Sequence, residues 1–195
     1  MRIDPPWDQR LARASLRPLI WASITPNQIT TLSLAAGLSA GILYARGGWA
    51  AHLGAALFLL SSWVDHLDGE LARSTGRTSA FGHYYDLAAD CCVLVAVFVG
   101  IGIGEGVPGF GVAAGVATAI IFALRMMLER RGGKAAVRQP NQLGFELEDV
   151  MYLLGPITWL GLLEPFVLLA GVGAPLFALF VLWECRRLLP GKAAV

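Results

Sequence analysis

Charge is scarce in this chain. Only 15% of its 195 residues are Asp, Glu, Lys or Arg, against about 25% in an average soluble domain. With 56% of residues hydrophobic and a mean hydropathy of +0.61, that scarcity excludes a soluble domain on a single anchor and predicts a polytopic membrane protein. Cysteine is scarce too. Cys91 and Cys92 are adjacent and Cys185 lies far along the chain, which gives neither a disulfide framework nor zinc-site spacing. All three read as small buried hydrophobes. No short apolar run with a small-residue cleavage site opens the sequence, so no removable signal peptide is expected.

A helix needs about 20 residues, with a range of roughly 17–25, to cross a bilayer. Six segments qualify: about 27–45, 49–73, 82–104, 108–128, 147–168 and 172–189. Breakers separate them at Arg46-Gly47-Gly48, Ser74 to Ala80, Gly104 to Pro108, the 129–146 stretch, and Val172-Gly173-Ala174-Pro175. Counting Lys and Arg by connection places fourteen on one side and Arg46 alone on the other. The positive-inside rule then predicts both termini in the cytoplasm. Trp7 to Leu19 reads either as an amphipathic helix lying on the membrane, with Trp7, Leu11 and Ala14 on one face, or as a short basic tail. The expected architecture is an all-α integral membrane protein of six transmembrane helices, both termini cytoplasmic, with that short interfacial helix at its N-terminus. It forms a single domain over 1–195, with an interfacial segment at 1–20 and a bundle over about 27–189.

Four of the seven aspartates fall in one 26-residue window, as Asp65, Asp68, Asp86 and Asp90. A mid-membrane carboxylate costs roughly 2.5–3.5 kcal/mol, so four uncompensated ones would cost about 10–14 kcal/mol. Bound divalent cations are the simplest compensation. Residues three and four apart share a helix face, so Asp65, Asp68 and Ala72 line one face of helix two, and Gly82, Asp86 and Asp90 one face of helix three. The short 74–81 connection predicts that these helices are antiparallel neighbours whose carboxylate faces meet just below the cytoplasmic surface. Four carboxylates balance two divalent cations, and hard oxygen ligands suit Mg²⁺, Mn²⁺ or Ca²⁺. Gly69 and Gly82 leave room beside the acids, and Arg73 supplies a cation suited to phosphate. The pattern points to a diphosphate-bearing ligand, with one acid left to take a proton from a nucleophile.

The spacing D-x2-D-G-x2-A-R-x8-G-x3-D-x3-D from Asp65 to Asp90 resembles the signature of the CDP-alcohol phosphotransferases, with all eight fixed residues present. Thr25-Pro26-Asn27-Gln28-Ile29-Thr30 is similar to the Pro-Asn-x-x-Thr segment common in that family. The resemblance implies a phospholipid-synthesis reaction in which a CDP-linked lipid, usually CDP-diacylglycerol, gives its phosphatidyl group to the hydroxyl of a small alcohol and CMP leaves. It implies that Asp65, Asp68 and Asp86 bind two divalent cations, Mg²⁺ or Mn²⁺, and that Asp90 is the general base and also touches a metal. Gly69, Ala72, Arg73 and Gly82 would form the nucleotide cradle, with Asn27 and Thr30 as contributors. The expected partners are the CDP-linked donor, the alcohol acceptor, membrane lipid and a second copy of the chain, with no nucleic acid. The expected location is a membrane (the cytoplasmic membrane in a bacterium), with the active site facing the cytoplasm.

Acceptor choice has two opposed signals. Arg125, Arg130, Arg131, Lys134 and Arg138 could hold a phosphorylated acceptor such as inositol phosphate or glycerol phosphate, or be ordinary positive-inside charge. Glu146, Glu148 and Asp149 could hold the cation of choline, ethanolamine or serine, or be favourable acids at a helix start. His66 and His83 occupy variable positions of the motif; His83 could assist the acceptor, but the bystander reading is preferred. Gly37-x3-Gly41 and Gly111-x3-Gly115 are helix-packing signals, with a dimer interface as one use. Gly100-Ile-Gly102-Ile-Gly104-Glu-Gly106 is read as turn and packing rather than a nucleotide loop. The competing functions are an aspartate-rich membrane prenyltransferase and a divalent-cation transporter.

Overall fold

The computed structural model describes residues 16, 18, 20–132 and 151–188, with side chains described up to 130 and, in the last helix, up to 183. Its helices are α1 (Pro26–Arg46), α2 (Gly48–Thr75), α3 (Ala80–Gly104), α4 (Pro108–Gly132), α5 (Leu154–Trp159) and α6 (Leu163–Leu188). No strand occurs among the described residues. Among the described residues, four helices are long and apolar enough to cross a membrane: Pro26–Arg46, Ala80–Gly104, Pro108–Arg130 and Leu163–Trp183. The molecule is an integral membrane protein. At 28 residues, α2 runs about 42 Å at 1.5 Å per residue. That exceeds a hydrocarbon layer of about 30 Å. Asp65 and Asp68 lie in the last three turns of this helix.

Local chemistry sets the helix ends that frame those carboxylates. Pro26 opens α1, and the Thr25 N–H is held by Gln28 Oε1 at 2.9 Å, half of a capping box. At the end of α2, Gly76 takes a left-handed φ of 67°, and the Arg77 N–H returns to Ala72 O at 3.0 Å. That 6→1 bond stops the helix where a side chain would strain it. Three residues later Ser79 Oγ accepts from the Gly82 N–H at 2.9 Å and starts α3.

Helix order in space departs from the simplest reading of the sequence. The short connection predicts α2 and α3 as neighbours along their length, but α1 lies between them and packs on both, while α2 and α3 touch only slightly. Small residues make this possible. A Cβ placed on Gly41 would lie 2.8 Å from the Ala96 carbonyl oxygen of α3, and one on Gly102 would lie 2.8 Å from Gly111 Cα of α4. The two small-xxx-small stripes are therefore consumed inside the protomer. Gly37 meets Val93, Gly115 meets Val95 and Val99, and neither stripe is left for a dimer interface. Gly100 and Gly104 press on the backbone of α1, so the glycine-rich end of α3 is a packing surface.

The second half of the bundle corrects two boundaries. A helix over 147–168 followed by a break at 172–175 is expected, yet α5 ends at Trp159, Gly161 takes φ 71°, and α6 runs unbroken through Pro175. Gly161 provides the αL turn, and Pro165 falls in the first turn of α6, where its missing N–H costs nothing. α4 packs on α3 and α6, and α5 rests on α2. The larger core gathers Tyr44, Phe58, Val97, Ile101, Leu154 and Val167. A smaller one, Leu16, Ile29, Leu67 and Leu71, sits at the carboxylate end. The remainder of the 7–19 segment lies outside the described residues.

Candidate functional site

The slight contact between α2 and α3 falls where the acids are. Asp65 and Asp68 on α2 and Asp86 on α3 each offer a carboxylate oxygen, and these oxygens all lie within 4.8 Å of one another. Asp68 is buried and the other two are half-buried. At an effective dielectric of about 20, two unit charges at that separation repel by roughly 3 kcal/mol. Three carboxylates so close could hold a cation among them. Asp86 Oδ1 is buried without a hydrogen-bond partner, which leaves it a lone pair for a ligand. An all-carboxylate donor set of this kind fits Mg²⁺ or Mn²⁺. Asp90, one turn beyond Asp86 on α3, is half-buried and stands outside that group of three.

The neighbours of the cluster hold it in place. Thr30 on α1 donates its hydroxyl to Asp68 Oδ2. Thr31 Oγ1 and Tyr85 OH are 2.8 Å apart, tying α1 to α3 on the exposed side. Asn27 stands beside Gly82: a Cβ there would lie 3.3 Å from Asn27 Oδ1 and 3.1 Å from Ser79 Oγ. The missing side chain at Gly82 is thus used for the approach of α1. Gly69 has an equivalent role, because the Arg73 guanidinium lies across it, 3.2 Å from where a Cβ would be.

Arg73 is oriented by a residue that motif reading passes over. Its Nη2 donates to Glu70 Oε1 at 2.9 Å, with the Arg73 side chain 60% exposed and that of Glu70 5%. The i, i+3 spacing of an acid and a base is the signal that would have found it. Ala72 adds only a methyl group to this surface and is half-buried. His66 turns to its own helix, its Nδ1 donating to Ser62 O at 2.8 Å, and its ring faces Tyr152 at 6.1 Å between centroids.

The structure also joins α3 to α4 at this end. His83 Nε2 donates to Glu129 Oε1 at 2.9 Å, and the Arg130 guanidinium carbon sits 4.7 Å from the centroid of the Tyr84 ring. Arg125 and Arg130 are both exposed. The Arg131 side chain and Lys134, Arg138, Glu146, Glu148 and Asp149 lie outside the described residues.

Residues 23–183 match the family model described as CDP-alcohol phosphatidyltransferase. The chain is 35% identical over 126 residues to a bifunctional IPC transferase and DIPP synthase of Rubrobacter xylanophilus, covering 64% of this chain and 28% of that protein. It is 32% identical over 104 residues to the archaetidylinositol phosphate synthase of Pyrococcus horikoshii, 53% of each. The chain thus spans about half or less of the length of the curated relatives it matches. Among solved structures it is similar to the crystal structure of Mycobacterium tuberculosis phosphatidylinositol phosphate synthase with CDP-DAG bound, with a TM-score of 0.65 at 22% identity, covering 97% of this chain and 98% of that one. A likeness at that identity shows a shared fold.

Proposed function

The chain belongs to the CDP-alcohol phosphatidyltransferase family, and from that premise we propose that it transfers a phosphatidyl or related group from a CDP-linked lipid, of the CDP-diacylglycerol type, to a hydroxyl of a phosphorylated polyol, releasing CMP. The observation that carries this reading is the convergence of Asp65, Asp68 and Asp86 within 4.8 Å inside a complete family signature. Membership displaces the prenyltransferase and cation-transporter readings. Inositol phosphate is the favoured acceptor. Two relatives are named for inositol phosphate products, and the exposed Arg125 and Arg130 provide cations at the same end of the bundle.

Asp65, Asp68 and Asp86 would hold two divalent cations, Mg²⁺ or Mn²⁺, with Asp90 as a further contact. Such cations supply charge neutralisation at the diphosphate. Arg73, braced by Glu70 across Gly69, presents guanidinium N–H groups to a phosphate oxygen. Asn27 and Gly82 shape the wall beside the nucleotide, and Ala72 keeps it low. The acceptor oxygen attacks the lipid-side phosphorus, the bond from that phosphorus to the bridging oxygen breaks, and CMP departs with that oxygen. Asp90 takes the hydroxyl proton, leaving a phosphodiester product.

The same reading puts the site and both termini of a six-span bundle on the cytoplasmic side, which the asymmetry of Lys and Arg supports. It also makes the chain a homodimer, on faces other than the glycine stripes. The test is CMP release by the purified protein with CDP-diacylglycerol and Mn²⁺ or Mg²⁺, offered inositol phosphate, glycerol phosphate, serine, choline and ethanolamine in turn. Turnover with inositol phosphate is expected. Release with none of the five would overturn the activity, and release only with an amine would overturn the acceptor.

A further inference from the structure

Neither His83 nor Glu129 belongs to the signature, yet they form the hydrogen-bonded pair that closes α3 against α4 beside the acids. His83 stands three residues before Asp86 and seven before Asp90, on the same helical face. Its Nε2–H reaches Glu129 Oε1 at 2.9 Å, and the two side chains are only 34% and 10% exposed. The next residue on each helix repeats the contact: the Arg130 guanidinium carbon lies over the Tyr84 ring, 4.7 Å from its centroid, while the His83 and Tyr84 rings lie 5.5 Å apart. Two adjacent residues of α3 therefore grip two adjacent residues of α4.

We propose that this grip is the positioning device of the acceptor site, with His83 occupying the Glu129 carboxylate through its Nε2–H while Arg130, lying over Tyr84, presents its N–H edge to the acceptor's phosphate. The inference rests on the phosphorylated-acceptor reading above. A guanidinium lying over an aromatic ring gains from the ring face and keeps N–H donors for an oxyanion. Glu129 is the obstacle to that arrangement. A nearly buried carboxylate next to Arg130 would compete for the guanidinium and repel a phosphomonoester, unless a cation or strong donor occupies it. His83 is that donor. Its position is variable in the motif, which suits a residue concerned with the acceptor rather than with the donor common to the family.

The experiment measures KM for inositol phosphate and for CDP-diacylglycerol separately, on the full-length purified protein. His83→Ala should raise the acceptor KM about tenfold, equivalent to about 1.4 kcal/mol, with donor KM and kcat within about twofold. Adding Glu129→Gln to that variant should bring the acceptor KM back to within about threefold of the parent. Should His83→Ala fail to fold, His83→Gln keeps an N–H donor on a differently shaped side chain and carries the same test, with a rise of about threefold undone by Glu129→Gln. A helix staple without a role in the acceptor site would lower the melting temperature and the active fraction and leave both KM values alone; that result overturns the inference. If the parent protein does not use inositol phosphate or glycerol phosphate, the acceptor reading fails and this inference falls with it. If it does use them and the variants leave the acceptor KM unchanged, the inference alone fails.

Discussion

Thr30 on α1 donates its hydroxyl to Asp68 Oδ2 on α2, across 38 positions of sequence. Both residues are buried, at 2% and 6% exposure, and Thr30 Oγ1 also lies 3.2 Å from Pro26 O in the first turn of its own helix. The threonine thereby braces a carboxylate of the cluster. A brace of this kind fixes which lone pair of Asp68 faces Asp65 and Asp86.

Thr30→Val keeps the shape and removes the donor. Outer-shell partners of metal ligands are typically worth 10–100-fold in metal affinity, so the Mn²⁺ concentration at half-maximal thermal stabilisation should rise about tenfold. The readout is a melting curve against Mn²⁺, with no turnover required. An unmoved midpoint would mean that Thr30 serves packing alone.

Asp90→Asn should lower CMP release by about 10²–10⁴-fold, the usual reach of a general base, while CDP-diacylglycerol still protects the protein from heat. Asp86→Asn should behave differently and lose the Mn²⁺ stabilisation, because Asp86 belongs to the cluster of three. Near-normal turnover in Asp90→Asn would remove Asp90 from the chemistry.

Glu70→Gln tests the brace on Arg73. The Arg73 side chain is 60% exposed, so the pair contributes at most about 1 kcal/mol to stability. The melting temperature should hardly change, while the donor KM rises about threefold as the guanidinium loses its anchor. A fall in kcat with an unchanged donor KM would contradict this.

Gly41→Ala places a methyl group 2.8 Å from the Ala96 carbonyl oxygen, a backbone atom that cannot step aside. Destabilisation of about 1–3 kcal/mol is expected from such overpacking. Gly109→Ala, with nothing within 4 Å of the new Cβ, should be silent in the same melting experiment. Equal effects from the two would undo the assignment of the Gly41 stripe to the α1–α3 contact.

Much of this site was legible along the chain because its parts are local. Asp65 with Asp68, and Asp86 with Asp90, are pairs whose spacing sets a helix face, and Gly76 and Ser79 mark the turn between them by their own backbone chemistry. The fifth and sixth helices were less legible. Gly161 and the Val172–Pro175 run carry similar breaking signals, and packing of α6 against α4 decides which is obeyed. Glu70 and Glu129 were passed over because their importance lies in partners. A buried carboxylate and a solvated one look the same in a sequence.

The sequence by itself determined an apolar bundle, the helix faces that carry the four aspartates, and the turn that returns α3 toward α2. Those depend on composition and on the 3.6-residue period, which act within one segment. Tertiary structure alone decided that α1 would stand between α2 and α3, because that depends on how closely Gly41, Gly100 and Gly104 let two backbones approach. It also decided that Thr30 would brace Asp68 and that His83 would meet Glu129. Such contacts join residues far apart in the chain, where no local period constrains them.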